Sequence, residues 1–214
     1  MSRIDVKICG LSTPETVDAA IKAGASHIGM VFFPKSPRNV DFDKAAALAA
    51  RIPDHVRRVG VFVDPDDEYL VRAISNGRLD ALQLHGKESA GRAAAIRSHH
   101  NREVWKAISV KTSADLNIGG AYSAAVDMLL YDAKTPEGAA LPGGMGVRFD
   151  WKLLQDFRHP LHWGLSGGLD AQNVRDAVAI TGASLVDISS GVESAPGVKD
   201  VDKIAAFCQA VSQL

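Results

Sequence analysis

The sequence has little that would direct it to a membrane, a nucleic acid or an oxidising compartment. Lysine and arginine number 24 against 25 acidic residues, a net charge of -1 at pH 7, so no basic footprint marks a nucleic-acid or anionic-membrane partner. No apolar run is long enough to span a bilayer, and the opening MSRIDVK lacks the apolar segment of a secretory signal. A cytoplasmic protein is the expectation. Cysteine is scarce: Cys9 and Cys208 sit at opposite ends of the chain and are expected to be reduced rather than bridged. Their spacing with the seven histidines gives no metal signature, and His99-His100 reads as an exposed helix end. The glycine-rich run Gly143-Gly144-Met145-Gly146 lacks the strand–turn–helix setting of a dinucleotide fingerprint. Neither metal nor nucleotide chemistry is indicated.

What is present is a long alternation. The 214 residues, 46% hydrophobic and 23% charged, suit one soluble domain over 1–214. Val6-Lys7-Ile8-Cys9-Gly10 opens as a strand, with Lys7 and Cys9 on one face and Val6 and Ile8 on the other. Ser12 and Glu15 have capping-box spacing and Pro14 suits a first turn, so a helix is expected over Pro14 to Ala23, ended by Gly24. Further strands read at His27 to Phe33, Val56 to Val63, Glu103 to Ile108, Asp127 to Tyr131, Leu161 to Leu165 and Leu185 to Ile188, and Asp80 to Gly86 reads as strand then turn. Helices are expected at Asp41 to Arg51, after Asp64-Pro65 as far as Gly77, at Glu88 to Ser98, weakly at Ala114 to Ala124, then at Asp150 to Phe157, Ala171 to Ile180 and Val201 to Val211. Ala133 to Val147, with four glycines and two prolines, reads as a lid or binding loop. Eight strand–helix repeats favour a closed (β/α)8 TIM barrel with parallel strands over an open doubly wound sheet. A short echo, Ala20-Ile21-Lys22-Ala23-Gly24-Ala25-Ser26 against Ala179-Ile180-Thr181-Gly182-Ala183-Ser184, marks two helix ends entering strands.

In such a barrel the loops after the strands form the active face. Cys9, His85, Asp132, Ser166 and Ser189 all fall at C-terminal strand ends, and alternation puts Gln83 with His85 and Asp187 with Ser189. An internal polar network accounts for Gln83 or Asp187 taken singly about as well as catalysis does; the set together favours a site. Ser166-Gly167-Gly168 and Ser189-Ser190-Gly191 follow the last two strands, where main-chain amides of such barrels often converge on phosphate. A short helix beginning near Gly191 is expected to add its amides. Pro34-Lys35-Ser36-Pro37-Arg38-Asn39 is a stiff cationic loop. A thiol, a carboxylate, an arginine and a phosphate grip suit acid–base isomerisation of a small phosphorylated substrate with a second anionic group.

These residues resemble the phosphoribosylanthranilate isomerases, barrel enzymes of tryptophan biosynthesis. The motifs that carry the resemblance are Lys7-Ile8-Cys9-Gly10-Leu11, Ser36-Pro37-Arg38, Val59-Gly60-Val61-Phe62-Val63, Gln83-Leu84-His85-Gly86, Gly143-Gly144-Met145-Gly146 with Phe149-Asp150-Trp151, Leu165-Ser166-Gly167-Gly168-Leu169 with Asn173-Val174, and Asp187-Ile188-Ser189-Ser190-Gly191-Val192-Glu193 with Lys199-Asp200. The resemblance implies an Amadori rearrangement of N-(5-phosphoribosyl)anthranilate, with Cys9 as the base at ribose C2, Asp132 as the acid at the ring oxygen, and Arg38 on the anthranilate carboxylate. Lys7, Gln83, His85 and Asp187 are assigned to substrate binding, and Gly167, Gly168, Ser189, Ser190 and Gly191 to phosphate. No cofactor is implied, because the aniline nitrogen is itself the electron sink. Lys7 is expected to raise the thiolate character of Cys9, while Asp132 must keep its proton. Departures from the family's wording are mild: Ser166 stands where a small apolar residue is usual, and Lys134-Thr135-Pro136-Glu137 makes a charged loop entrance. Rival readings are a related barrel isomerase acting on the aminoimidazole precursor of histidine, and a non-catalytic phosphate-binding barrel. A monomer is favoured over a homodimer, and the chain, running from first strand to last helix, is expected to be an independent domain.

Overall fold

The computed structural model describes residues 4–135, 143–144 and 146–214. Pro136, Glu137 and Met145, which the loop expectations above include, lie outside the described residues. Eight strands, β1 (Asp5–Cys9), β2 (His27–Phe32), β3 (Arg57–Phe62), β4 (Ala81–Leu84), β5 (Glu103–Val110), β6 (Met128–Ala133), β7 (His162–Leu165) and β8 (Leu185–Ile188), form a closed barrel in sequence order. β8 pairs parallel with β1, Lys7 opposite Asp187, so the open-sheet alternative is excluded. Outward-facing Val6 and Ile8 join the large apolar core between barrel and helices. Inside the lower barrel, Val59, Ala81, Trp105, Met128, Leu130 and Leu185 form a separate packed cluster. Alternation along each strand thus feeds two cores from one chain.

The helices are α1 (Pro14–Lys22), α2 (Phe42–Ala49), α3 (Asp67–Gly77), α4 (Ala90–His100), α5 (Ser113–Leu116), α6 (Lys152–Gln155), α7 (Val174–Thr181) and α8 (Val201–Ser212). α1, α2, α3, α4 and α8 begin at side-chain caps, which for α1 and α3 are not the nearest motif residues. Thr13, not Ser12, caps α1 by accepting from the Thr16 amide, with Pro14 at the first helical position. Asp66, not Asp64, caps α3, while Asp64 takes a left-handed φ of 48° and accepts from Lys87 N. At the end of α3 the left-handed residue is Arg78; Gly77 is still helical and is needed for space, since a Cβ there would lie 2.8 Å from Leu79 Cδ2. The echoed glycines do fall alike, Gly24 at φ 89° and Gly182 at φ 69°.

Two expected helices shrink. Beyond Leu116 the chain tightens into a 3-10 turn, Asn117–Tyr122, whose Gly119 packs on β6; a Cβ there would sit 2.7 Å from Leu129 Cδ1. α6 makes one turn before Phe157 leaves the helical path to pack edge-on against Tyr131 at 6.3 Å between ring centroids. One element was not foreseen. After a 3-10 turn at Ser190–Val192 the chain makes an antiparallel hairpin, β9 (Glu193–Ala195) and β10 (Val198–Lys199). A buried ion pair fixes the turn after β4: Lys106 Nζ donates to Glu88 Oε2 (2.9 Å) and to Gly86 O (2.8 Å), and Glu88 accepts from the amides of Asp64 and Gly86. That turn carries His85.

Candidate active site

The C-terminal strand ends surround a cavity of about 840 Å³ including its open mouth. Cys9, Arg38, Gln83, His85, Asp132, Gly167, Gly168, Asp187, Ser189, Ser190 and Gly191 all line it. Lys7 does not: it is fully buried one step below Cys9, its Nζ 2.8 Å from Asp187 Oδ1. A direct hold on a ligand is therefore not what Lys7 offers. It is a fixed cation beneath the site, and burial, which lowers its pKa, is outweighed by Asp187 and Cys9, so it stays charged.

Gly29 makes room for this arrangement. A Cβ at Gly29 would lie 3.0 Å from Cys9 Sγ and 3.2 Å from Lys7 Nζ. Burial nevertheless pushes the Cys9 thiol above its ordinary value; Lys7 and Lys199 pull it down, Asp187 pushes it up, and the net direction is up. The expected gain of thiolate character from Lys7 is thus overridden in the free protein. Lys7's charge is already shared with Asp187, and a dry site disfavours a second anion.

Across the barrel, Asp132 is the penultimate residue of β6. Its Oδ1 accepts from the Ala133 amide at 2.9 Å and its Oδ2 lies 3.2 Å from His85 Nε2, off the line of a hydrogen bond. His85 Nδ1 meets Gln83 Nε2 at 3.2 Å, which leaves Gln83 Oε1 and His85 Nε2 buried without hydrogen-bond partners among the described residues. Gly143 closes over this group: a Cβ there would be 2.8 Å from His85 Nε2 and 2.9 Å from Asp132 Oδ2. Part of the long loop therefore does come down on the site.

The two late turns pack on each other, a Cβ at Gly191 lying 2.0 Å from Leu169 O. Gly167 and Gly168 have φ of 90° and 64°, a left-handed pair open to glycine. Ser190 and Gly191 begin a 3-10 turn, whose first amides have no acceptor within the turn. The expected helical start near Gly191 is this single turn. Arg38 is 5% exposed, and its Nε and Nη2 both donate to Glu193, at 2.7 and 2.8 Å. Its fork edge is thus engaged inside the protein, and Glu193 and Lys199, quoted above only as parts of motifs, belong to the site's framework. The apolar wall of Val31, Phe33 and Val61 was likewise missed, because strand residues of that type read as core.

The family described as N-(5'-phosphoribosyl)anthranilate (PRA) isomerase matches residues 6–210. The chain is 58% identical over 212 residues to the N-(5'-phosphoribosyl)anthranilate isomerase of Zymomonas mobilis subsp. mobilis, covering 99% of each. Among solved structures it is similar to the phosphoribosyl anthranilate isomerase of Thermotoga maritima, at 36% identity, TM-score 0.89 and full coverage of both chains. A second structure, at 34% identity, TM-score 0.86 and again full coverage, is an isomerase of this kind in complex with reduced 1-(o-carboxyphenylamino)-1-deoxyribulose 5-phosphate.

Proposed function

The chain belongs to the N-(5'-phosphoribosyl)anthranilate isomerase family, and we propose that it performs the family's isomerisation by an Amadori rearrangement between Cys9 and Asp132. The observation that carries the reading is that this thiol and this carboxyl line one cavity with two glycine turns and an arginine. That set favours an isomerase of a phosphorylated aromatic amine over the aminoimidazole enzyme and over a non-catalytic barrel. Binding alone would need neither the thiol nor the carboxyl.

Asp132 gives its proton to the furanose ring oxygen as the bond from that oxygen to C1 breaks. The amine nitrogen supplies its lone pair and becomes an iminium. The Cys9 thiolate then takes the C2 proton, and the freed electron pair forms the C1–C2 double bond of an enolamine. Loss of the C2 hydroxyl proton and protonation at C1 complete the ketone. Gln83 Oε1 and His85 Nε2, buried without hydrogen-bond partners among the described residues, suit the sugar hydroxyls. Amides of Gly168, Ser190 and Gly191 suit the phosphate, with Gly167 and Ser189 shaping the pocket. Val31, Phe33 and Val61 suit the aromatic ring, and Arg38 its carboxylate. Asp187 serves by holding Lys7 beside Cys9.

A thiol pushed up by burial is seldom ionised at neutral pH but is a stronger base when it is. The limb of the kcat/KM profile that reports Cys9 should therefore still be rising above neutrality. Single-turnover isomerisation of substrate deuterated at C2 tests the assignment across pH in wild type, Cys9→Ser and Asp132→Asn. The rising limb should disappear with the thiol, while the residual turnover of Cys9→Ser should show a full isotope effect, because C2 proton removal has become the slow step. Near-normal turnover in folded Cys9→Ser would overturn its role as base.

A further inference from the structure

We infer that Glu193, held by Lys199, is the positioning residue that sets substrate selectivity, by aiming Arg38 at the carboxylate on the aromatic ring. The inference rests on the reading of Arg38 given above and extends it to residues that touch no substrate.

Three buried ionic side chains meet here. Glu193 Oε1 accepts from Arg38 Nε at 2.7 Å and from Lys199 Nζ at 2.8 Å, and Oε2 accepts from Arg38 Nη2 at 2.8 Å. Arg38 is 5% exposed, Glu193 8% and Lys199 9%. Two cations share one carboxylate, so among the described residues the group is one anion short. An uncompensated buried cation is costly, and an arriving carboxylate relieves it.

Geometry decides where that anion goes. Nη2 also donates to Gly144 O at 2.9 Å, so Nη1 alone among the guanidinium nitrogens has no acceptor among the described residues. Arg38 lines the cavity. The stem is clamped as well: a Cβ at Gly10 would lie 2.7 Å from Arg38 Cδ, and one at Gly197, in the hairpin turn, 2.7 Å from Pro37 O. The hairpin thus seats on the arginine loop and delivers Glu193 to one edge of the fork. A free arginine would accept an anion from many directions. This one is left with the Nη1 side, and the carboxylate must come to it with the ring already oriented.

The same clasp reaches the thiol's strand. Lys199 Nζ donates to Ser189 O (2.9 Å) and Oγ (3.1 Å), and Ser189 Oγ donates to Cys9 O at 3.2 Å. Arg38 and Cys9 are therefore referenced to one rigid feature, which fixes the distance between the carboxylate reader and the base. Orientation of this kind is lost with displacements of about 1 Å, at a cost near 10²-fold.

The test compares kcat/KM for the carboxylated substrate with that for N-(5-phosphoribosyl)aniline, which lacks the carboxylate. Wild type, Arg38→Ala, Glu193→Gln, Glu193→Asp and the Arg38→Ala/Glu193→Gln double variant are measured with thermal melts. Glu193→Gln should reduce the preference for the carboxylated substrate by about tenfold or more, chiefly through KM. Arg38→Ala should do at least as much, and the double variant no more than Arg38→Ala alone. Glu193→Asp keeps the charge but cannot bridge both cations, so it too should lose preference; it also serves if the glutamine variant does not fold. Equal losses on both substrates in folded Glu193 variants would overturn the inference while leaving Arg38 as reader, provided Arg38→Ala still loses preference. If Arg38→Ala keeps the preference, the reading of Arg38 itself fails and the inference falls with it.

Discussion

The two ends of one barrel interior are built to opposite rules. At the closed end Val59, Ala81, Trp105, Met128, Leu130 and Leu185 fill the space with apolar contacts, and His27 is buried beside them in its neutral form. At the open end β4, β6 and β8, two residues further on, carry Gln83, Asp132 and Asp187, and β1 brings Cys9 beside them around a cavity. The first arrangement resembles any protein core. The second keeps ionic and polar groups out of water with some of their hydrogen bonds unmade, which lowers stability and is tolerated because the first end is so well packed. Stability and chemistry are therefore separable along the barrel axis.

The largest separation should come from the open end. Cys9→Ser and Asp132→Asn keep size and most hydrogen bonding, so melting should change little, while the rate of the chemical step falls by about 10²–10⁴-fold. Rapid-quench turnover beside a calorimetric melt gives both numbers. A large fall in stability with near-normal turnover would erase the distinction between the two ends.

Trp105→Ala is the converse. The indole is 1% exposed, donates to Glu103 Oε1 at 2.7 Å, and lies 5.5 Å from the His27 ring. Emptying that volume should cost about 3–5 kcal/mol in urea unfolding. Activity per folded molecule, corrected for the unfolded fraction, should hold near wild type, since Trp105 does not line the cavity.

The closed end also has a proton signature. Burial lowers His27 to about 4, with Asp5 opposing the shift and Arg57 and Lys7 adding to it. The unfolded chain takes up this proton near 6.5, so between 6.5 and 4 it binds more protons than the native state. Stability is unaffected above that window and falls as pH drops through it, by up to about 3 kcal/mol. His27→Gln, measured by urea unfolding at pH 7 and pH 4.5, should show a shallower fall than wild type. An equal fall would assign the acid sensitivity to other groups.

Much of the open end was legible in the sequence because it is written locally. Alternation in Val6-Lys7-Ile8-Cys9 is enough to put the thiol inside and the valine out, and Ser166-Gly167-Gly168 states its own turn. What was not legible depends on partners far apart in the chain. Nothing near Arg38 says that its fork is held by Glu193, 155 residues on, because that pairing needs a hairpin of three- and two-residue strands to exist. The direction of the Cys9 shift was hidden for a similar reason. Proximity to Lys7 can be read from spacing, whereas the burial that outweighs it is a property of the whole barrel.

The smallest effect sharpens the comparison most, because it holds the chemistry constant. Arg57 and Glu103 form an Arg–Glu pair at the closed end, as Arg38 and Glu193 do at the open end. Side-chain exposure differs: 41% and 27% in the first pair, 6% and 5% in the second. Water already solvates the charges of the outer pair, so Arg57→Ala should cost only ~0–1 kcal/mol at pH 7, shrinking further in high salt. Its turnover should be unchanged. A faint secondary effect should follow from His27, which Arg57 helps to hold down. Without that cation the histidine accepts its proton at somewhat higher pH, the native and unfolded values move closer, and less stability is lost on acidification. Arg57→Ala should therefore be slightly less stable than wild type at pH 7 and closer to it at pH 4.5, in paired urea titrations. A difference that widens at pH 4.5 would mean that Arg57 does not act on His27 through charge, and that the closed end is held at its rim by more than packing.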